Sequence, residues 1–207
     1  FFILSPLTFT PHVSQRNVFM KFRKIYNKIR YFIYKRLLSD CDHLVIKKEY
    51  HYPTLFLGKG KIHIEMAQLG VTPSPYFYHT AGYIEARNSS ARVTIKDHTI
   101  INNSFVIIAD KTSITIGEHC LIGPNLFITD SDFHGVEIKD RSNGNYQCLP
   151  VSIENHVFIG ENVRILKGVT IGEGSVIGNS SVVTKSVPPY SIYAGNPAKL
   201  LKKLSSD

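Results

Sequence analysis

The chain of 207 residues has no tryptophan, two methionines and only three cysteines. Cys41, Cys120 and Cys148 form neither an even set nor a CxxC pair, which excludes a disulfide framework and favours a reducing compartment. Nine histidines are scattered with no two of them four residues apart, so the paired-histidine grip of a helical metal site is missing. No apolar run approaches the ~20 residues needed to span a bilayer. Acidic residues are absent before Asp40, while the first 38 residues hold Arg16, Lys21, Arg23, Lys24, Lys28, Arg30, Lys35 and Arg36. Those eight account for the whole net charge of +8, because the other sixteen Lys and Arg are matched by sixteen Asp and Glu. A formally neutral body lacks the continuous basic surface that nucleic acid requires.

What the chain does have is a period of six. Ile95, Ile101 and Ile107, then Ile116, Ile122 and Ile128, then Ile153, Ile159, Ile165, Ile171, Ile177 and Val183 are spaced six apart within each run. Two residues before them stand further small or apolar residues, such as Val151, Val157, Val163, Val169, Ser175 and Ser181, and glycine often follows directly. A helix needs apolar spacings of three and four, and hairpin sheets need turn signals every eight to twelve residues. The pattern instead predicts an all-β fold, a parallel β-helix in which each hexapeptide forms one side of an eighteen-residue coil and points its aliphatic residue inward.

The register breaks twice. Ile107 to Ile116 is nine residues, an insertion of three around Ala109-Asp110-Lys111 that one bulged corner absorbs. Ile128 to Ile153 is twenty-five, so a loop excursion over about 129–150 leaves the coil, and such departures from a strict repeat are usually functional. The expected organisation is an extra or disordered leader over 1–19, with translation starting at Met20. A basic amphipathic helix and connector follow over 20–54, then the β-helix over 55–187, stopped by Pro188-Pro189, and a tail over 188–207. In the helix, Phe22, Ile25, Ile29, Phe32, Ile33 and Leu37 form the apolar stripe. It can lie on an anionic membrane surface through residues 21–38, or pack against its own chain or a subunit.

The repeats, Ile122-Gly123-Pro124-Asn125 leading to Asp130-Ser131-Asp132-Phe133-His134, the run Ile177 to Lys185, and the tail Ala194-Gly195-Asn196-Pro197-Ala198-Lys199 together resemble the hexapeptide-repeat acyltransferases, particularly the branch that acetylates sugars. The resemblance covers roughly Val93 to Leu201. It implies a left-handed β-helix working as a homotrimer, with acetyl-CoA bound between subunits and a sugar or surface-polysaccharide precursor as acceptor, while the cysteine usage points to the cytoplasm and the scattered histidines to no metal. N-acetylation of an amino sugar is the nearest variant. A zinc carbonic anhydrase on the same solenoid would need three converging histidines, and a non-catalytic scaffold would leave the histidine-bearing loop without a purpose.

Within the resemblance His134 is the general base, since neutral imidazole suits removal of a hydroxyl proton near neutral pH. Asp132 is expected either to orient His134 or to cap the loop, and Asp130 either to do the same or to touch the acceptor. Asn103 aligns with an acceptor-contacting asparagine, with a buried asparagine ladder as the structural alternative. For coenzyme A the resemblance implies Phe158 as an apolar wall of the pantetheine channel, Gly160 and Gly178 along it, and Thr184, Lys185, Lys199 and Lys202 for the rest of the cofactor, the last two reaching the nucleotide phosphates.

Overall fold

In the computed structural model the chain forms a helix followed by a three-sided coil of short strands. Residues 13–48 and 52–205 are described, with the side chains of the N-terminal helix described from Lys21. Residues 1–12 of the expected leader lie outside the described residues, and from Val13 the chain is already helical.

Three parallel sheets make the sides of the coil. The first face stacks His43–Ile46, Lys61–Ile64, Arg92–Ile95, Ser113–Ile116, Val151–Ile153 and Thr170–Ile171. The second stacks Gln68–Leu69, Ile100–Ile101, Leu121–Ile122, Phe158–Ile159, Val176–Ile177 and Ser191–Ala194, closed by an antiparallel Lys199–Lys203. The third stacks Thr54–Leu57, Gly82–Ala86, Val106–Ala109, Phe127–Thr129, Arg164–Ile165 and Val182–Val183.

The hexapeptide period becomes three columns. Ile95, Ile116, Ile153 and Ile171 are successive register partners on the first face. Ile101, Ile122, Ile159 and Ile177 do the same on the second, and Ile107, Ile128, Ile165 and Val183 on the third. None of the twelve is more than 4% exposed. Burying each is worth about 1.5–3 kcal/mol, and no coil could bury its own column without the next. Cys120 is an inward filler in the same core.

The first coil uses aromatics where later coils use isoleucine. Phe56 is the third-face partner of Ile84, and Tyr52 packs on Phe77 and Phe105 with ring centroids 5.5 and 6.0 Å apart. This blurs the period before Ile84, and the first strand, His43–Ile46, stands ahead of the boundary expected at 55 because it pairs with Lys61–Ile64. At the other end the second face continues past Pro188-Pro189, as Ser191–Ala194 stacks on Val176–Ile177 before the chain reverses.

Surplus length gathers at the edge between the third and first faces. The steps Phe56 to Ile64, Ile84 to Ile95, Ile107 to Ile116 and Ile128 to Ile153 all exceed six, and each crosses that edge. A second excursion, 70–81, leaves the edge between the second and third faces instead. There Asn103 has its place: fully buried, it donates from Nδ2 to the Val71 and Pro75 carbonyls at 2.9 and 2.7 Å, and its Oδ1 accepts from Val71 N at 3.0 Å. Both N–H groups and one oxygen lone pair go to pinning this loop, which is the structural alternative for Asn103.

The helix, α1 (Val13–Phe32), runs into a π-type turn over Ile33–Leu38. It is held to the coil by polar groups: Tyr26 Oη donates to the Tyr78 carbonyl at 3.1 Å, and the Arg30 guanidinium to the Phe77 and Thr80 carbonyls. Its apolar stripe faces away. Phe22, Ile25, Ile29, Phe32 and Leu37 are each more than half exposed, and of the stripe only Ile33 is partly buried.

Candidate active site

The excursion after Ile128 is anchored at its neck before it carries anything outward. Leu149 N donates to the Asp130 carbonyl at 2.8 Å, Asp132 N donates to the Gln147 carbonyl at 3.2 Å, and Ser131 bridges Cys148. Beneath the neck, the buried Asp110 accepts from Ser131 Oγ at 3.1 Å and from Asn88 Nδ2 at 2.9 Å. The Asp110 carboxylate nearby raises the Tyr146 phenol pKa. The Cys148 thiol lies 3.6 Å from the Asp110 carboxylate and its pKa is pushed up, chiefly by burial. A thiol so held stays protonated and is a poor rival nucleophile.

Asp130 belongs to this foundation. It is fully buried, and its carboxylate accepts from the backbone N–H groups of Asp110, Lys111 and Thr112 and from Thr112 Oγ1, at 2.6–3.2 Å. Four donors satisfy it, so Asp130 closes the bulged corner made by the three-residue insertion, which is the capping alternative rather than the acceptor contact.

His134 sits past the neck, in a short bend fixed by two backbone features. Phe133 adopts the left-handed conformation, with φ of 60° and the Arg87 guanidinium 4.9 Å over its ring. Gly135 is buried so tightly that a Cβ there would lie 2.4 Å from the Asp140 Cβ, so no side chain fits. The His134 imidazole is exposed, and its Nδ1 lies 2.9 Å from the Arg141 carbonyl oxygen. A carbonyl oxygen only accepts, so Nδ1 carries the proton and Nε2 presents a lone pair outward.

Asp132 does not orient that ring. Its Oδ1 pairs with Lys167 Nζ at 3.0 Å, and the Arg141 carbonyl takes the tautomer-fixing place expected of the carboxylate. Lys167 stands two residues after Ile165, as Lys185 stands two after Val183, so both occupy the same step of consecutive coils. Thr184 and Lys185, both exposed, therefore lie on the edge that carries the excursion, two strand spacings or about 10 Å further along the coil.

The remaining expected residues fall on another face. Phe158 is about half exposed, in an outward row on the second face with Ile100, Leu121 and Val176. Gly160 and Gly178 turn the following edge. A Cβ on Gly160 would meet Asn179 Oδ1 at 2.1 Å, and one on Gly178 would meet Ala194 Cβ at 2.8 Å. Their lack of a side chain is thus required by coil stacking, whatever else passes there. Lys199 and Lys202 are exposed on the closing strand of the second face. One chain therefore holds the histidine loop and the Phe158 face on different sides of the coil.

Sequence reasoning missed three participants. The Arg141 carbonyl has no side-chain signature. Lys167 was readable from its step after Ile165. The 70–81 loop, which reaches along its edge until Tyr76 Oη donates to Glu161 at 3.2 Å, was hidden by the blurred first coil. His98, His119 and His156 stack at the edge between the first and second faces, with ring centroids 4.8 and 5.1 Å apart. Among the described residues no three His, Cys, Asp or Glu converge as a metal site would require.

Residues 150–185 match the family model described as bacterial transferase hexapeptide (six repeats). The chain is 36% identical over 135 residues to galactoside O-acetyltransferase of Escherichia coli K12, covering 65% of this chain and 61% of that protein. It is 40% identical over 114 residues to polysialic acid O-acetyltransferase of Escherichia coli O1:K1, covering 55% and 37%. In both cases less than two thirds of the relative is spanned. Among solved structures, a polysialic acid O-acetyltransferase superposes with a TM-score of 0.61 at 25% identity, covering 81% of this chain and 82% of that one. A hexapeptide-repeat acetyltransferase of Vibrio cholerae, complexed with acetyl coenzyme A, superposes with a TM-score of 0.54 at 26% identity, covering 94% of each. Three inward columns in register, the matched repeat block and the coil shared with these solved acetyltransferases make the fold a left-handed parallel β-helix of hexapeptide repeats, similar to that of the hexapeptide-repeat acetyltransferases.

Proposed function

We propose that the protein transfers an acetyl group from acetyl-CoA to a hydroxyl of a sugar or surface-polysaccharide precursor, with His134 as general base. The observation that carries this reading is the tautomer of His134. With Nδ1 donating to the Arg141 carbonyl, Nε2 is the only ring atom able to take a proton, and it points out of a loop whose neck is fixed. Nε2 accepts the proton as the hydroxyl oxygen attacks the acetyl carbonyl carbon. It then returns that proton to the departing sulfur, so histidine ends the cycle as it began. General-base assistance of this kind is worth about 10²–10⁴ in rate.

Acetyl-CoA supplies the activated acetyl group, and the exposed groups fit its parts. Phe158 offers an apolar wall to the pantetheine, while Lys185, Lys199 and Lys202 are exposed cations that enter none of the ion pairs found among the described residues. Lysine gives phosphate a point charge rather than the bidentate fork of arginine. The sugar acceptor is supported by the names of the relatives, which act on galactosides and polysialic acid.

A homotrimer completes the site. The histidine loop and the Phe158 face lie on different sides of one chain, so a neighbouring copy has to bring the second to the first. The outward rows of the coil support this assembly. Ile100, Leu121, Phe158 and Val176 make the second face apolar, whereas the corresponding row of the first is Thr94, Thr115, Ser152 and Thr170. We place the activity in the cytoplasm, where unpaired cysteines persist. The test is release of free thiol from acetyl-CoA across a panel of sugars, nucleotide-sugars and glycan repeats, with molar mass measured by light scattering. Transfer to a sugar hydroxyl by a trimer is expected. Consumption with no sugar, or full activity from a monomer, would overturn the reading.

A further inference from the structure

We infer that α1 is a docking element for an anionic lipid bilayer, lying in the plane of the membrane surface with its apolar stripe in the headgroup boundary. An amphipathic helix ordinarily turns its stripe to its own core, and this one does the reverse. The side that meets the coil is polar: Tyr26 and Arg30 bond the Phe77, Tyr78 and Thr80 carbonyls, and Arg23 lies 5.5 Å over the Tyr78 ring. With that side fixed, Phe22, Ile25, Ile29 and Phe32 stand outward at 64, 54, 54 and 57% exposure, and Leu37 in the following turn at 67%. Four large side chains spaced three or four apart make one continuous apolar ridge rather than scattered exposure.

Charge selects the occupant. Lys21, Lys24 and Lys28 recur at the same helical spacing as the ridge, beside it and exposed, and no acidic residue precedes Asp40. An apolar ridge bordered by lysines matches the cross-section of a bilayer surface, in which acyl chains take the ridge and anionic headgroups take the cations. A second copy of the chain brings no net negative charge to answer these lysines, since the body beyond residue 38 is formally neutral. The cleft of about 430 Å³ beside the helix, lined among others by Lys24, Asn27, Lys28 and Phe77, opens next to the same lysines. Among the described residues no helix is long and apolar enough to cross a membrane.

The test is flotation of the full chain with vesicles of phosphatidylglycerol and phosphatidylcholine in about a 1:3 ratio, against vesicles of phosphatidylcholine alone. Co-flotation with the anionic vesicles is expected, falling about tenfold or more when Phe22, Ile25, Ile29 and Phe32 are all changed to Ser. The changes Lys21→Glu, Lys24→Glu and Lys28→Glu together should abolish the preference for anionic lipid. All seven changed positions are exposed and lie outside the core, so unchanged melting checks folding in both variants. Absence of flotation, or equal flotation of the serine variant, would overturn the inference. A changed molar mass of that variant without vesicles would also overturn it, because the ridge would then belong to a second copy.

Discussion

The repeat block and the excursion it interrupts obey different rules. In 151–183 each inward residue meets a partner of the same kind one coil away, and its neighbours along the chain matter little. In 129–150 nothing repeats, and the backbone is held by single interactions: Ser131 on Asp110, the Cys148 bridge, the Gly135 bend and the His134–Arg141 contact. Redundancy spreads the stability of the coil over many like contacts. Singularity in the loop positions one imidazole and leaves it without a substitute.

The sharpest break in that comparison is His134→Ala. If the loop alone carries the proton transfer, kcat should fall by about 10²–10⁴ while the melting temperature stays within a degree or so of the parent, since the side chain is exposed. Stopped-time assay of acetyl transfer beside thermal unfolding checks both halves. A variant that retains full turnover would move the base elsewhere.

The converse change is Ile165→Ala. Ile165 is fully buried between Ile128 and Val183, and its truncation leaves a cavity that neighbouring coils fill only in part. A loss of about 2–5 kcal/mol is expected in denaturant unfolding, with the turnover of the folded fraction nearly unchanged. Should activity per folded molecule collapse as well, coil and loop would not be separable in the way their contacts imply.

How far the sequence disclosed each region follows from the same contrast. The columns were legible because inward isoleucine at every sixth position has one geometric solution, and all twelve are buried. The bulged corner at Asp110-Lys111 was legible as an insertion, but the group that closes it was not. Asp130 reaches it across a coil boundary, and its partners are backbone N–H groups that carry no residue identity. Asn103 hid for the same reason, since its three partners are main-chain atoms of residues 71 and 75. The stripe of α1 was visible as a pattern, yet its outward direction depends on carbonyls near residue 78 that a helical period cannot report. Position along the chain exposed His134, whereas its tautomer came only from the Arg141 carbonyl.

Asp132 gives the smallest effect and the finest discrimination. Two residues from His134, it has the chemistry of an orienting carboxylate, and removing such a group where it holds a catalytic imidazole costs about 10⁴ in rate. Here its oxygen lies 3.0 Å from Lys167 Nζ instead, at 30% and 22% side-chain exposure, and a partly solvated pair of this kind contributes up to about 1 kcal/mol. Asp132→Asn should therefore lower kcat by less than about fivefold, and Lys167→Met should have an effect of similar size, because the two changes remove one interaction. The double variant should then be little worse than either single change. A loss approaching that of His134→Ala from Asp132→Asn alone, with Lys167→Met near the parent, would instead mean that the carboxylate leaves Lys167 for the imidazole during turnover.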